Sequence, residues 1–224
     1  MLQTLSHFEQ GIMVLASLVL LTSFLMLGQI RLLLLIKTFA WQGALLALTT
    51  ALVAADSGQT HLYLSAALTF AIKALLIPWM LHRLIFRLGI PHQEEPLGRP
   101  SVVLLSGAAL VLFSYSVSAP LIELSSHVTR NTIAISIGVV LVSMLLMVTR
   151  HTALAQVVGF MSIENGLFFS AVSATYGMPL VIELGVAFDV LVAAVLFGVF
   201  FFQIRESIDD LDVDRMTRLT EADE

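Results

Sequence analysis

The 224-residue sequence contains no cysteine. This chain therefore carries no disulfide, thiolate metal site or cysteine-ligated iron–sulfur cluster. Charge is scarce as well, at 12% of residues, about half the share usual in soluble domains. Polar stretches are short, which leaves no room for a sizeable soluble domain. The six histidines fall at predicted helix ends or in loops, and none stands in a metal-ligand spacing. There is no Gly-rich phosphate loop, no nucleophile paired with a base and no haem-ligand pair. The chain thus offers no catalytic constellation and no metal or cofactor site of its own, and nothing in it points to nucleic acid. Met1 to Gln10 lacks the basic segment of a cleavable signal peptide.

What the chain has in abundance is apolar surface. Hydrophobic residues make up 58%, and mean hydropathy is +0.96. A helix needs about 20 apolar residues to cross the hydrocarbon core of a bilayer. Seven runs meet that length: 10–30, 32–54, 62–84, 101–119, 131–149, 153–174 and 180–203. The expected fold is an all-α polytopic membrane bundle of about seven spanning helices. Asp56-Ser57-Gly58-Gln59 is a polar turn, 91–100 is the longest internal loop, and Pro120 and Pro179 close the fourth and sixth runs.

The basic residues set an orientation. With the N-terminus outside, Arg31, Arg83, Arg87, Arg99, Arg150, Arg205, Arg215 and Arg218 all fall on the cytoplasmic side, and Lys37 lies close enough to snorkel there. Arg130 is outside, and Lys73 is within the membrane. This asymmetry follows the positive-inside rule. The C-terminal tail, Glu206 to Glu224, is then cytoplasmic, and it reads as an acidic, solvated segment.

Three charges sit where a bilayer tolerates them least. Glu164 is near the middle of the sixth run, Asp189 near the middle of the seventh and Lys73 near the middle of the third. A charge at that depth costs about 2.5–3.5 kcal/mol on insertion scales, so each should face protein or water. Burial penalises the charged form of an acid or a base, which suits such groups to proton transfer. The structural alternative is that Lys73 neutralises one of the acids, or that the carboxylates simply bond neighbouring helices. Pro78 cannot donate to the carbonyl of Ala74, so the backbone beside Lys73 should be kinked or left with a spare acceptor. Glu183, less than a turn inside the outer end of its run, reads as a rim residue. Trp41 and Trp79 are expected to be packing residues.

A faint repeat relates runs one to three to runs five to seven. Gln42-Gly43-Ala44-Leu45-Leu46 matches Asn165-Gly166-Leu167-Phe168-Phe169, and Ala71-Ile72-Lys73 matches Ala187-Phe188-Asp189. Parallel repeats of this kind occur in transport proteins. The layout divides into an N-terminal three-helix unit with its loop (1–100), a connecting helix and external loop (101–130), a second three-helix unit (131–204) and the tail (205–224).

The second unit carries a resemblance. Arg150 at an inner helix entry, Ser162-Ile163-Glu164-Asn165-Gly166-Leu167 and Ala187-Phe188-Asp189-Val190 resemble the K subunit of bacterial complex I and the C subunit of multisubunit cation/proton antiporters. Members of that family carry a membrane glutamate in each of the last two helices. Glu164 matches the first; Asp189 is a shorter acid at the second, which alters its reach. The whole layout is similar to the hydrogenase-4 component E family. The resemblance implies a subunit of a membrane-bound hydrogenase of formate hydrogenlyase type, seated in a bacterial or archaeal cytoplasmic membrane. It would pack between a quinone-site-like subunit and antiporter-like subunits, alongside peripheral hydrogenase subunits. Nickel–iron and iron–sulfur centres would lie in those partners. Proton transfer through Glu164, Asp189 and Lys73 is the expected role; a subunit of a cation/proton antiporter and a structural membrane spacer are the competing ones.

Overall fold

The computed structural model describes residues 7–58, 60–87, 99–119, 127–175, 185, 187–195 and 198. All regular structure in this part is helical. The helices are α1 (His7–Gly28), α2 (Leu32–Ser57), α3 (Thr60–Thr69), a π-helical segment (Phe70–Leu76), α4 (Ile77–Arg87), α5 (Pro100–Ser118), α6 (His127–Thr149) and α7 (Ala153–Thr175). Residues 187–195 form a further helical segment. Among the described residues six helices are long and apolar enough to cross a membrane, α3, the π segment and α4 counting as one span. They coincide with the first six runs of the sequence. Most of the seventh run lies outside the described residues, as do Glu183, positions 91–98 of the expected loop and the expected acidic tail.

Local chemistry accounts for the boundaries. Gly58 adopts φ +68°, a left-handed conformation that suits glycine, and its N–H donates to the Ala54 carbonyl at 3.0 Å, ending α2. Pro100 opens α5 at the one helical position where a missing N–H costs nothing. Pro78 has the opposite effect. It lies inside a span, and the turns before it widen into the π segment, where Ile77 N–H reaches back to the Ile72 carbonyl. This is the local break expected beside Lys73, realised as a π-helix rather than an open kink.

Two hairpins lie side by side. α1 and α2 form one, α6 and α7 the other; α1 packs on α6 and α2 on α7. α5 covers the outer face of α6, and the α3–π–α4 span packs on α2. The two hairpin connectors lie at the same end, because Arg150 from the second reaches the end of α1. The Arg150 side chain is buried and donates to the carbonyls of Leu27 at 3.0 Å and of Gln29. Carbonyls at a helix C-terminus have no partner within the helix and carry the negative end of its dipole. A buried guanidinium therefore caps α1 across the bundle.

Packing divides into two apolar clusters. One holds Met26, Phe39, Ile77, Leu81 and Met161 toward the Arg150 end. The other holds Val19, Leu46, Leu62, Phe169 and Val172 toward the opposite end. Along α1, α2 and α7 the switch between clusters falls at Ser23, Gln42 and Ser162–Asn165. A buried polar layer separates the two clusters. Outside, large apolar side chains are bare, among them Leu64 at 73%, Leu112 at 71% and Val148 at 78% exposed. A surface so apolar has its natural solvent in lipid. Trp41 and Trp79 belong to this outer surface, at 69% and 50% exposed; neither is held by packing inside the bundle, contrary to expectation.

Candidate functional site

The polar layer is built around Lys73. The side chain leaves the π segment fully buried, at a point where α2 comes backbone to backbone with it. Gly43 makes that approach possible: a Cβ there would stand 3.0 Å from the Lys73 carbonyl carbon, carbonyl oxygen and Cβ. An ammonium has three donors, and three oxygens surround this one. Lys73 Nζ donates to Glu164 Oε2 and, at 2.9 Å, to Asn165 Oδ1, and it lies 3.1 Å from Asp189 Oδ1. The last contact is an ion pair by distance, without the angle of a hydrogen bond, and Asp189 Oδ2 has no hydrogen-bond partner among the described residues. The Phe168 ring completes the shell, 5.1 Å from Nζ to its centroid, a cation–π contact strengthened by the burial of the ammonium.

The three charged residues singled out in the sequence are thus brought into one cluster. So are the pairs matched by the internal repeat: Lys73 meets Asp189, and Gln42 meets Asn165. The two acids differ in access. Asp189 is fully buried, whereas the Glu164 side chain is 12% exposed. Glu164 stands at the wall of a lateral cavity of about 320 Å³ whose other walls are apolar, including Phe160, Ile163, Leu167, Phe168 and Phe188.

Behind the cluster runs a hydrogen-bonded relay of neutral side chains. Asn165 Nδ2 and Ser162 Oγ both donate to Gln42 Oε1 at 3.0 Å. Gln42 Nε2 donates to Ser23 Oγ at 2.8 Å, and Ser23 donates on to the Val19 carbonyl. Ser162 and Ser143 hydroxyls are 2.7 Å apart. The donors and acceptors fix the direction of every amide. With Gln42 Oε1 holding the Asn165 NH2, the Asn165 oxygen is left facing Lys73, the orientation that favours a charged ammonium. Gln42, Ser23, Ser143 and Ser162 were not singled out as site residues in the sequence. The signal for Gln42 was its central place in an apolar run; serines are too common in membrane helices to stand out.

These features define a polytopic membrane helix bundle with a buried Lys–Glu–Asp cluster midway through its thickness. The chain belongs to the family of the uncharacterized protein Rv0085 of Mycobacterium tuberculosis (strain ATCC 25618 / H37Rv), with which it is 32% identical over 185 residues, covering 82% of this chain and 84% of that protein. It is related more distantly to hydrogenase-4 component E of Escherichia coli (strain K12) and of Shigella flexneri, at 24% identity over 159 residues, 71% of this chain and 74% of each relative. No family model matches the chain, and no solved structure matches it.

Proposed function

We propose that this chain is a membrane subunit of a complex I-related, membrane-bound hydrogenase of formate hydrogenlyase type, and that Lys73, Glu164 and Asp189 move or couple charge within it. The relationship to hydrogenase-4 component E supports the first half. It also supports a bacterial cytoplasmic membrane as the location. Antiporter-like and quinone-site-like membrane subunits would be its neighbours, and peripheral subunits would hold the nickel–iron and iron–sulfur centres.

The observation that carries the second half is a charge imbalance. One base faces two acids in a buried cluster. With all three ionised the cluster holds an uncompensated negative charge, which is expensive away from water. Taking up one proton cancels it. Such a cluster is poised to bind or release that proton when a neighbouring charge moves, and Glu164, on the cavity wall, is the member through which it would exchange. Lys73 touches both acids, so the cluster responds as a unit.

Purification of the tagged chain in mild detergent, with identification of what co-purifies, tests the assembly. Hydrogenase subunits are expected; antiporter subunits alone would move the reading to a cation/proton antiporter, and recovery without partners would overturn both. In the assembled complex, Glu164→Gln keeps size and some hydrogen bonding but removes the titratable charge. It is expected to lower ion-coupled activity without loss of assembly. Unchanged proton translocation in the intact variant would remove Glu164 from the pathway, and failed assembly would favour a structural role.

A further inference from the structure

A second charged feature lies away from the buried cluster, on the outward face of α4. Trp79, His82, Arg83 and Phe86 are all exposed, and their i,i+4 spacing joins them in pairs. The Arg83 guanidinium lies over the Trp79 ring at 5.3 Å, and the His82 and Phe86 rings are 4.8 Å apart. Arg83 makes no hydrogen bond and no ion pair with any described residue, and its fork carries five N–H donors. Lys37, exposed on the neighbouring helix α2, also has no acidic partner among the described residues.

Depth decides what such a group can meet. Lys73 sits near the middle of the Leu62–Arg87 span. Arg83 is ten residues further on, about 15 Å along a helix that rises about 1.5 Å per residue. That is half of a hydrocarbon core of about 30 Å. The guanidinium therefore stands at the boundary between acyl chains and headgroups, with Trp79 one turn deeper.

We infer that Arg83, stacked on Trp79 and flanked by His82 and Phe86, forms a binding site for the headgroup phosphate of an anionic phospholipid. The fork of a guanidinium matches phosphate oxygens in pairs. The exposed faces of Trp79 and Phe86 offer the glycerol and upper acyl chain an aromatic seat. A positive charge with no acidic partner among the described residues selects anionic over zwitterionic lipids, whose own cation already accompanies the phosphate. The C-terminal dipole end of α4 opposes an anion, so binding depends on Arg83 itself.

The chain has two tryptophans, so Trp41→Phe leaves Trp79 as the sole reporter. The full-length variant is reconstituted in phosphatidylcholine vesicles containing a minor fraction of a bromine-labelled lipid, either phosphatidylglycerol or phosphatidylcholine. Trp79 fluorescence should be quenched as if phosphatidylglycerol were enriched about five-fold around it, the enrichment expected for one well-placed basic side chain. Arg83→Gln should abolish the preference and Arg83→Lys should keep part of it. Added inorganic phosphate should leave it unchanged; its loss would identify a free-anion site and overturn the lipid assignment. Equal quenching by the two labelled lipids in the Trp41→Phe parent, or a preference that survives Arg83→Gln, would also overturn it.

Discussion

At the scale of single residues, the cluster is a matter of charge counting. Removing Lys73 leaves two acids in a buried pocket with no cation, and breaking a buried pair in this way costs about 3–5 kcal/mol. Lys73→Met is therefore expected to lower the thermal stability of the purified protein substantially and to impair coupling. Adding Glu164→Gln and Asp189→Asn to Lys73→Met should restore most of the stability, because the penalty comes from charge and not from lost packing. A triple variant as unstable as the single one would assign the loss to packing instead. Lys73→Arg keeps the charge but hardly gives up a proton, so coupling should fall while assembly persists. Retained coupling in that variant would make Lys73 a fixed counter-charge. Gln42 acts one step further back, through Asn165. Gln42→Leu frees Asn165 to turn its NH2 toward Lys73, weakening the charged form of the amine. The pH profile of coupling should then move, which loss of a merely structural contact would not do.

At the scale of elements, two positions hold the bundle in the register the cluster needs. Gly43 lets α2 touch the backbone of the π segment. A methyl group there meets main-chain atoms of Lys73 at 3.0 Å, atoms that cannot swing away as a side chain would. Gly43→Ala should cost about 1–3 kcal/mol, the range for overpacking, and should draw Lys73 away from Asn165. A melting temperature unchanged in detergent would show that the two helices part without penalty. Arg150 caps α1 from the opposite hairpin. Arg150→Ala strands buried carbonyls that then lack a charged donor, at about 1–3 kcal/mol each. Separation of the hairpins should appear as faster hydrogen exchange at the ends of α1 and α6. The π segment has a visible cause in Pro78. The close approach at Gly43 has none in the sequence alone, because a glycine in a membrane helix does not say which neighbour it admits.

At the scale of the whole molecule, the two hairpins with α5 and the α3–π–α4 span make a bundle that is largely apolar without and holds Lys73, Glu164 and Asp189 in one central layer. Its orientation is open to direct measurement. Reporter fusions at Gly98 and Glu224 should read cytoplasmic and one near Gly58 external; an external signal from Glu224 would reverse or break the assignment. The first six spans were legible because a bilayer demands length and apolarity from each helix separately, and those demands are local. Glu164, Asp189 and Lys73 stood out for the same local reason, since a charge in such a run is costly wherever its neighbours are.

What the sequence determined by itself is therefore the class of fold, the boundaries of the first six spans to within a few residues and the depth of the three charges. Tertiary structure alone decided that Lys73 bridges both acids, that Gln42 orients Asn165, that Arg150 closes α1 and that Trp41 and Trp79 face outward. Depth follows from position along one helix, but partnership depends on the rotation of each helix about its axis. That rotation is set by packing between helices distant in sequence. In lipid no gradient of hydrophobicity drives helices together, so neutral polar side chains and close glycine contacts decide the rotation, and neither advertises its partner along the chain.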